Sequence, residues 1–302
     1  MNVRGTEKGT GPICRNGPRP TCGRCPASHK SDPSPFPVDP ASSSAVGRLV
    51  IDPPAPGAWN MAVDEVLWQW SAASGRCAWR FYRWDEPTLS LGYFQSYEDR
   101  EEHAASRACP VVRRPSGGGA IVHDKELTYS FVVPAGHRLA GRPSLLYRTI
   151  HTVLIEVLAG FGVEAALCGG PEDAGPARQP FLCFQRRSPG DVLVGAAKVA
   201  GSAQRRSRGA VLQHGSLLLA RSSAAPEIEG LESAAPGVVD EQQLLASWLE
   251  KLSQRLGVTW QKEPLTDQQR CEAEKLVQTR YGSLPWTRAR GRQCQVDGPS
   301  PA

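Results

Sequence analysis

The sequence predicts an α+β fold, a mixed or mostly antiparallel sheet with flanking helices. Three observations predict it. Strand-like runs occur in pairs joined by tight turns. Helical periods stand apart from one another and from those pairs. The chain is 302 residues long with 40% hydrophobic and 22% charged residues, enough for a sizeable core in one large domain or two small ones.

The elements follow in chain order. Residues 1–46 are rich in Pro, Ser, Gly and Arg without hydrophobic period, and read as a disordered extension. Trp59, Val63, Val66, Leu67 and Trp70 recur at helical spacing, with Asn60 as the expected cap and Asp64 and Glu65 near the positive end. Leu127, Tyr129, Phe131 and Val133 alternate with Thr128, Ser130 and Val132, which suits a half-buried strand. Leu146, Ile150, Val153, Leu154, Val157 and Phe161 mark a second helix, stopped by Gly160 and Gly162. Two Pro/Gly/Ala/Ser-rich stretches, 169–180 and 220–237, read as long loops. Runs 191–194 and 197–204 flank Gly195-Ala196, a pair suited to a type II′ hairpin turn. A longer strand follows over 209–219. Leu245, Trp248, Leu249, Leu252 and Leu256 mark a third helix, and a fourth spans about 266–281. The expected domain covers 47–286, with a disordered tail over 287–302.

Charge and cysteine content narrow the function. Net charge is +5, but residues 1–46 hold six Lys/Arg against three acids, leaving 29 against 27 in the body. A nearly neutral body argues against nucleic acid as partner, and no helix-turn-helix pattern precedes residue 47. No apolar run approaches the roughly 18–20 residues of a membrane span, and no secretory signal opens the chain. Nine cysteines, an odd number, then point to free thiols in a reducing cytoplasm. Cys14, Cys22, Cys25 and His29 allow a small zinc site, though too little apolar sequence surrounds them to fold alone. No metal is assigned to the domain itself.

Four segments could carry chemistry. In Arg113-Arg114-Pro115-Ser116-Gly117-Gly118-Gly119-Ala120-Ile121-Val122-His123, consecutive glycines let backbone approach a ligand, and the arginines could hold an anion. The same residues also suit a surface turn with solvated arginines. Lys198 lies in Val194-Gly195-Ala196-Ala197-Lys198-Val199-Ala200-Gly201-Ser202, where small neighbours leave room for a substrate; an exposed strand lysine fits as well. His214 in Gln213-His214-Gly215-Ser216 could be a site residue or a satisfied core histidine, and Gly215 suggests close backbone approach. Cys183 ends the loop at 169–180 and precedes Lys198 by fifteen residues. Most such cysteines are inert, but a neighbouring ammonium can favour the reactive thiolate.

Taken together and in order, these segments resemble the lipoate–protein ligase and octanoyltransferase family. Residues 60–65 (Asn-Met-Ala-Val-Asp-Glu), Arg83-Trp84, Ser90 to Gln95, the glycine loop, the Lys198 hairpin and the His214 strand carry the resemblance over about 47–286. It implies the biotin/lipoate protein ligase catalytic domain, a class II aminoacyl-tRNA synthetase-like fold. Cys183 before Lys198, and Glu126-Leu127-Thr128-Tyr129-Ser130 where ligases carry a Gly-Asn pair, look like the ligase-like octanoyltransferases. Gly117-Gly118-Gly119 is closer to the ligase pattern.

The implied reaction moves octanoyl from acyl carrier protein to a lysine of a lipoyl domain, such as glycine cleavage H protein or a 2-oxoacid dehydrogenase E2. A Cys183 thioester is the intermediate. Lys198 would favour the thiolate, polarise the carbonyl and assist proton transfer. Arg114, Ser116, Gly117, Gly118, Gly119, His123, Gly201, Ser202, His214 and Gly215 would bind substrate. No cofactor is required. An ATP- and Mg-dependent lipoate ligase, an octanoyl amidotransferase between lipoyl proteins, and an inactive carrier-binding homologue are the alternatives.

Overall fold

The computed structural model describes residues 45–169, 180–235, 237 and 239–289. The candidate zinc ligands Cys14, Cys22, Cys25 and His29, nearly all of the expected extension 1–46, residues 170–179 of the expected loop and most of the expected tail 287–302 lie outside the described residues, while Thr287 and Arg288 belong to the last helix. The first described strand opens at Ala45, two residues before the expected start of the domain.

Two sheets form. In chain order the strands are β1 (Ala45–Ile51), β2 (Ala78–Tyr82), β3 (Thr88–Leu91), β4 (Val111–Arg113), β5 (Ile121–His123), β6 (Glu126–Val133), β7 (Ala165–Leu167), β8 (Val192–Val194), β9 (Ala197–Ser207), β10 (Ala210–Leu218) and β11 (Val258–Lys262). The larger sheet has the order β11-β1-β2-β6-β10-β9-β8-β7, and a small one has β4-β3-β5. Strand β1 is parallel to β11 and β2, and the ladder from β2 through β6, β10, β9 and β8 to β7 is antiparallel. The helices are α1 (Gly57–Ser74), α2 (Pro143–Gly160), α3 (Leu231–Ala234), α4 (Glu241–Leu256), α5 (Asp267–Leu276) and α6 (Leu284–Arg288). This is the mixed α+β fold that the sequence predicts.

Turn chemistry sets the hairpins. Gly195 takes φ 55°, as a primed turn between β8 and β9 requires. Arg208 and Gly209 both have positive φ (48° and 80°), the type I′ pattern that joins β9 to β10.

The central strands are covered on both faces. Trp79, Phe81, Tyr129 and Phe131 point one way, and Trp248 of α4 packs edge-on against Trp79. Arg80, Tyr82 and Ser130 point the other way, toward Asp64 of α1. Strand β6 is therefore buried along its whole length rather than half-buried. Its polar alternate residues face a polar seam under α1, not water.

Helix α1 also differs from expectation at its start. It begins at Gly57 after Pro56, so Asn60 is interior and does not cap. The Asn60 amide donates to the carbonyls of Ala55 and Arg83 and ties the helix to the segment after β2. The later helices match their periods. Helix α4 is capped by Asp240 and ends at Gly257 in the left-handed region (φ 68°). Helix α5 is opened by a capping box of Thr266 and Gln269.

Candidate active site

The site grows out of three neighbouring strands. Strand β10 sets His214 opposite Ser130 and Ala203, Gly215 opposite Tyr129 and Ser202, and Ser216 opposite Thr128 and Gly201. A Cβ on Gly215 would lie 2.3 Å from Ser202 Oγ and 2.6 Å from the Gly201 carbonyl. Only glycine lets β9 and Tyr129 close up there, so the close approach expected of Gly215 is met by protein backbone.

The glycine loop and the cysteine segment are stitched together next to these strands. Cys183 N–H donates to the Ala120 carbonyl (2.7 Å), and Ala120 N–H donates to the Phe181 carbonyl (3.1 Å). Cys183 then opens a single 3-10 turn, Cys183–Gln185. A cavity lies between, lined by Met61, Tyr82, Ser90, Arg114, Gly118, Ile121, His123, Thr128, Cys183, Phe184, Gly201 to Ala203 and His214 to Ser216.

Lys198 meets the cysteine from the side. Its Nζ is 3.9 Å from Cys183 Sγ and donates to the Cys183 carbonyl at 3.3 Å. It also lies 5.2 Å from the Phe184 ring centroid. Lys198 is only 6% exposed, and its ammonium is ion-paired to buried Asp191 at 2.7 Å. Asp191 accepts in addition from Tyr147 OH (2.7 Å) and Ser188 N–H (2.8 Å). An exposed strand lysine is thereby ruled out. The small residues around Lys198 make room for its own side chain, since a Cβ on Gly201 would sit 2.7 Å from Lys198 Cε.

Behind this pair, α2 supplies a brace. His151 donates from Nδ1 to the Gly190 carbonyl and its Nε2 meets Ser202 Oγ at 2.6 Å, where Tyr129 OH also arrives. Burial pushes the His151 ring down to about 4, so it is neutral near neutral pH.

The arginines are not solvated on a surface turn. Arg113 and Arg114 are buried, and they hold backbone carbonyls. Arg113 donates to Gly92, Gln95 and Thr287 carbonyls. Arg114 donates to the carbonyls of Ser90, Gly117 and Gly119 and so pins the glycine loop from inside. Burial pulls its guanidinium down to about 10. Gly118 (φ 94°) sits against Gly92, whose Cβ would lie 2.1 Å from the Gly118 carbonyl oxygen. Gly119 leaves space for the Arg186 guanidinium, 2.8 Å from where a Cβ would be. Gly118 reaches the cavity, and Ser116, Gly117 and Gly119 do not line it.

Two histidine–carboxylate pairs face this cavity. His214 Nδ1 donates to Asp64 Oδ2 (3.2 Å), and its Nε2 meets Ser116 Oγ at 2.5 Å. Asp64 further takes Arg80, Ser130 and Tyr82. Burial raises the Asp64 carboxyl, but His214 and Arg80 outweigh it and hold it below its ordinary value. His123 Nδ1 donates to Glu126 Oε1 (2.6 Å), which also accepts Thr128 and Ser216 hydroxyls. Burial likewise raises Glu126, and His123 with those hydroxyls overcomes it, leaving the carboxyl below its ordinary value.

The lipoyl protein ligase A/B catalytic domain pattern matches residues 56–227, more than half of the chain. The chain belongs to this family. It is 36% identical over 271 residues to octanoyltransferase LipM of Symbiobacterium thermophilum, covering 79% of this chain and 97% of that protein. It is 31% identical to octanoyltransferase LipM of Brevibacillus brevis over 268 residues, again 79% and 97% of the two chains. Among solved structures, lipoate-protein ligase A bound with ATP superposes with TM-score 0.64 at 21% identity, over 80% and 98% of the chains. A bi-partite lipoate protein ligase from Thermoplasma acidophilum gives 0.63 at 20% identity, over 84% and 99%. These structures share the fold.

Within this lipoyl ligase-family domain, eight of the residues expected at the site do converge. Arg114, Gly118, His123, Cys183, Gly201, Ser202, His214 and Gly215 line one cavity. Lys198 touches Cys183 from behind the wall, as Ser116 touches His214. Sequence reasoning missed Asp191, Tyr147, Asp64 and Glu126. Asp64 and Glu126 were visible as acids inside otherwise apolar elements. Asp191 and Tyr147 gave no such signal: Tyr147 is 44 residues from Asp191, and Asp191 meets Lys198 only through the irregular register of one hairpin.

Proposed function

We propose that this chain transfers an octanoyl group from acyl carrier protein to a lysine of a lipoyl domain through a thioester on Cys183. The observation that carries this reading is the Cys183–Lys198–Asp191 arrangement, a thiol 3.9 Å from an ammonium fixed by a buried carboxylate. Opposite charge beside a sulfur favours the nucleophilic thiolate and stabilises it again as a leaving group. The same ammonium is placed to polarise an acyl carbonyl carried by that sulfur. Similarity over nearly the whole length of octanoyltransferase relatives supports an acyltransferase of protein lipoylation.

The chemistry balances without a cofactor. Cys183 attacks the donor thioester, and the donor's thiol leaves with the proton that Cys183 gave up. Thioester exchange is near-neutral in energy. The acceptor lysine then forms an amide, which is the more stable product. The lining suits an acyl chain, since Met61, Ile121 and Phe184 are apolar. H protein and 2-oxoacid dehydrogenase E2 carry lipoyl domains of the expected kind, and the reaction belongs to a reducing cytoplasm, where free thiols persist. No helix among the described residues is long and apolar enough to cross a membrane.

A donor panel tests the reading. With a lipoyl domain as acceptor, octanoyl-acyl carrier protein is expected to support modification without ATP. Activity only with ATP and free lipoate would make the chain a ligase. Activity only with an octanoylated lipoyl protein would make it an amidotransferase. Binding of carrier protein with no transfer from any donor would make it an inactive homologue.

A further inference from the structure

Transfer to lysine has a proton to dispose of, and the cysteine side of the cavity does not take it. When an amine attacks a thioester, the new N–C bond leaves an extra proton on nitrogen. Unless a base removes it, the intermediate expels the amine again. Lys198 is ion-paired to Asp191, and an ammonium has no lone pair to accept a proton. His214 also lines the cavity, but Asp64 and Ser116 occupy both of its ring nitrogens.

His123 is placed differently. Its Nδ1 is committed to Glu126, which leaves Nε2 as the acceptor of the neutral ring. No described residue hydrogen-bonds that nitrogen, and the ring lines the same cavity as Cys183. Trp84 stacks flat on the imidazole, with centroids 3.9 Å apart and planes 10° apart. Trp84 Nε1 in turn donates to Thr128 Oγ1, which donates to Glu126. Three donors converge on Glu126 Oε1, while Oε2 is buried without a partner among the described residues. The carboxylate behind the ring and the indole face against it hold the imidazole in one orientation.

We propose that His123 is the catalytic base for the lysine-transfer half-reaction, with Glu126 and Trp84 as its positioning residues. This rests on the acyl-transfer reading above. The neutral lysine amine attacks the carbonyl carbon of the Cys183 thioester. The N–C bond forms, and the C–S bond breaks with its electron pair going to Cys183 Sγ beside Lys198. The surplus proton on nitrogen passes to His123 Nε2. The imidazolium then returns it to the thiolate or to water, and the ring is neutral for the next turnover.

The test separates the two halves of the reaction. Full-length wild type and His123→Gln are charged with octanoyl-acyl carrier protein, and the Cys183 adduct is measured by peptide mass. Each adduct is then discharged with a lipoyl domain or with hydroxylamine, a weakly basic nucleophile whose nitrogen sheds its proton without help. The variant is expected to form the adduct and discharge to hydroxylamine within a few-fold of wild type. Its transfer to lysine should fall at least ~100-fold, the scale of a lost general base. Glu126→Gln should show the same split, to a smaller extent. Lysine transfer by His123→Gln within a few-fold of wild type overturns the assignment, as does equal loss with both nucleophiles. A wild type that forms no Cys183 adduct overturns the acyl-transfer reading itself and this assignment with it.

Discussion

The two histidines that face the cavity are alike in sequence context and unlike in bonding. Each lies on a strand and each gives Nδ1 to a buried carboxylate. His214 sits on β10 in the large sheet, and its second nitrogen is closed by Ser116. His123 ends β5 in the small sheet, and its second nitrogen meets no hydrogen-bond partner among the described residues. The difference shows what decides between a structural and a chemical histidine here. It is neither burial nor the carboxylate, which both share, but whether the last ring atom is already used.

Several measurements can break or sharpen that contrast. The largest expected effect on activity, beyond His123 itself, comes from the opposite wall. Lys198→Ala removes the charge beside Cys183 and leaves Asp191 buried without its cation. The acylation rate should fall ~10²–10³-fold, as for loss of a preorganised charge-stabilising donor, measured as octanoyl appearance on Cys183. Acylation unchanged by this substitution would assign Lys198 to structure.

Next comes His214→Ala, expected to act on stability. It takes one partner from Asp64, which keeps Arg80, Tyr82 and Ser130, and leaves the buried Ser116 hydroxyl without its own, so stability should drop by about 1–3 kcal/mol, read from urea denaturation. If the variant keeps its stability and loses lysine transfer alone, the roles given to the two histidines are reversed.

Acid should expose the same networks. Asp64 and Glu126 have folded-state pKa values held below their ordinary ones. Their contribution is present above the unfolded carboxyl range and is lost as pH falls through the folded values. His151 is also depressed, to about 4. The unfolded chain binds that proton near pH 6.5 and the folded one only near 4, so stability falls as pH drops between them. By that shift His151 contributes about 3 kcal/mol at most. A His151→Gln variant should show a flatter stability profile between pH 6.5 and 4 than wild type. An unchanged slope would contradict the buried neutral assignment.

The smallest effect is expected for Ser116→Ala. It takes one hydrogen bond from His214 while Asp64 keeps the ring, so stability should drop by about 1 kcal/mol with lysine transfer retained. A large loss of transfer would bring Ser116 and His214 into the chemistry.

Much of this was legible in the sequence because it depends on local pattern. Helical periods located α2 and α4, and Gly195 located a hairpin. What could not be read was which polar residues face inward. Strand β6 alternates polar and apolar residues like a strand with one wet face, yet Thr128 and Ser130 meet buried acids under α1. Asn60 looks like a cap, but its partners are the carbonyls of Ala55 and Arg83, the latter 23 residues away. Arg113 and Arg114 look like anion ligands, and only the folded loop shows carbonyls surrounding them. Asp191 reaches Lys198 across a hairpin with a register shift at Val192/Leu193, which no spacing rule would place.

The central claim is a covalent octanoyl group on Cys183, and peptide mass spectrometry tests it most directly. The protein is incubated with octanoyl-acyl carrier protein in the absence of acceptor and ATP, and then digested. An octanoyl mass gain is expected on the Cys183 peptide, removed by hydroxylamine and absent from Cys183→Ser, which should also lose transfer while remaining folded. An unmodified Cys183 peptide, together with full transfer activity in Cys183→Ser, would contradict it.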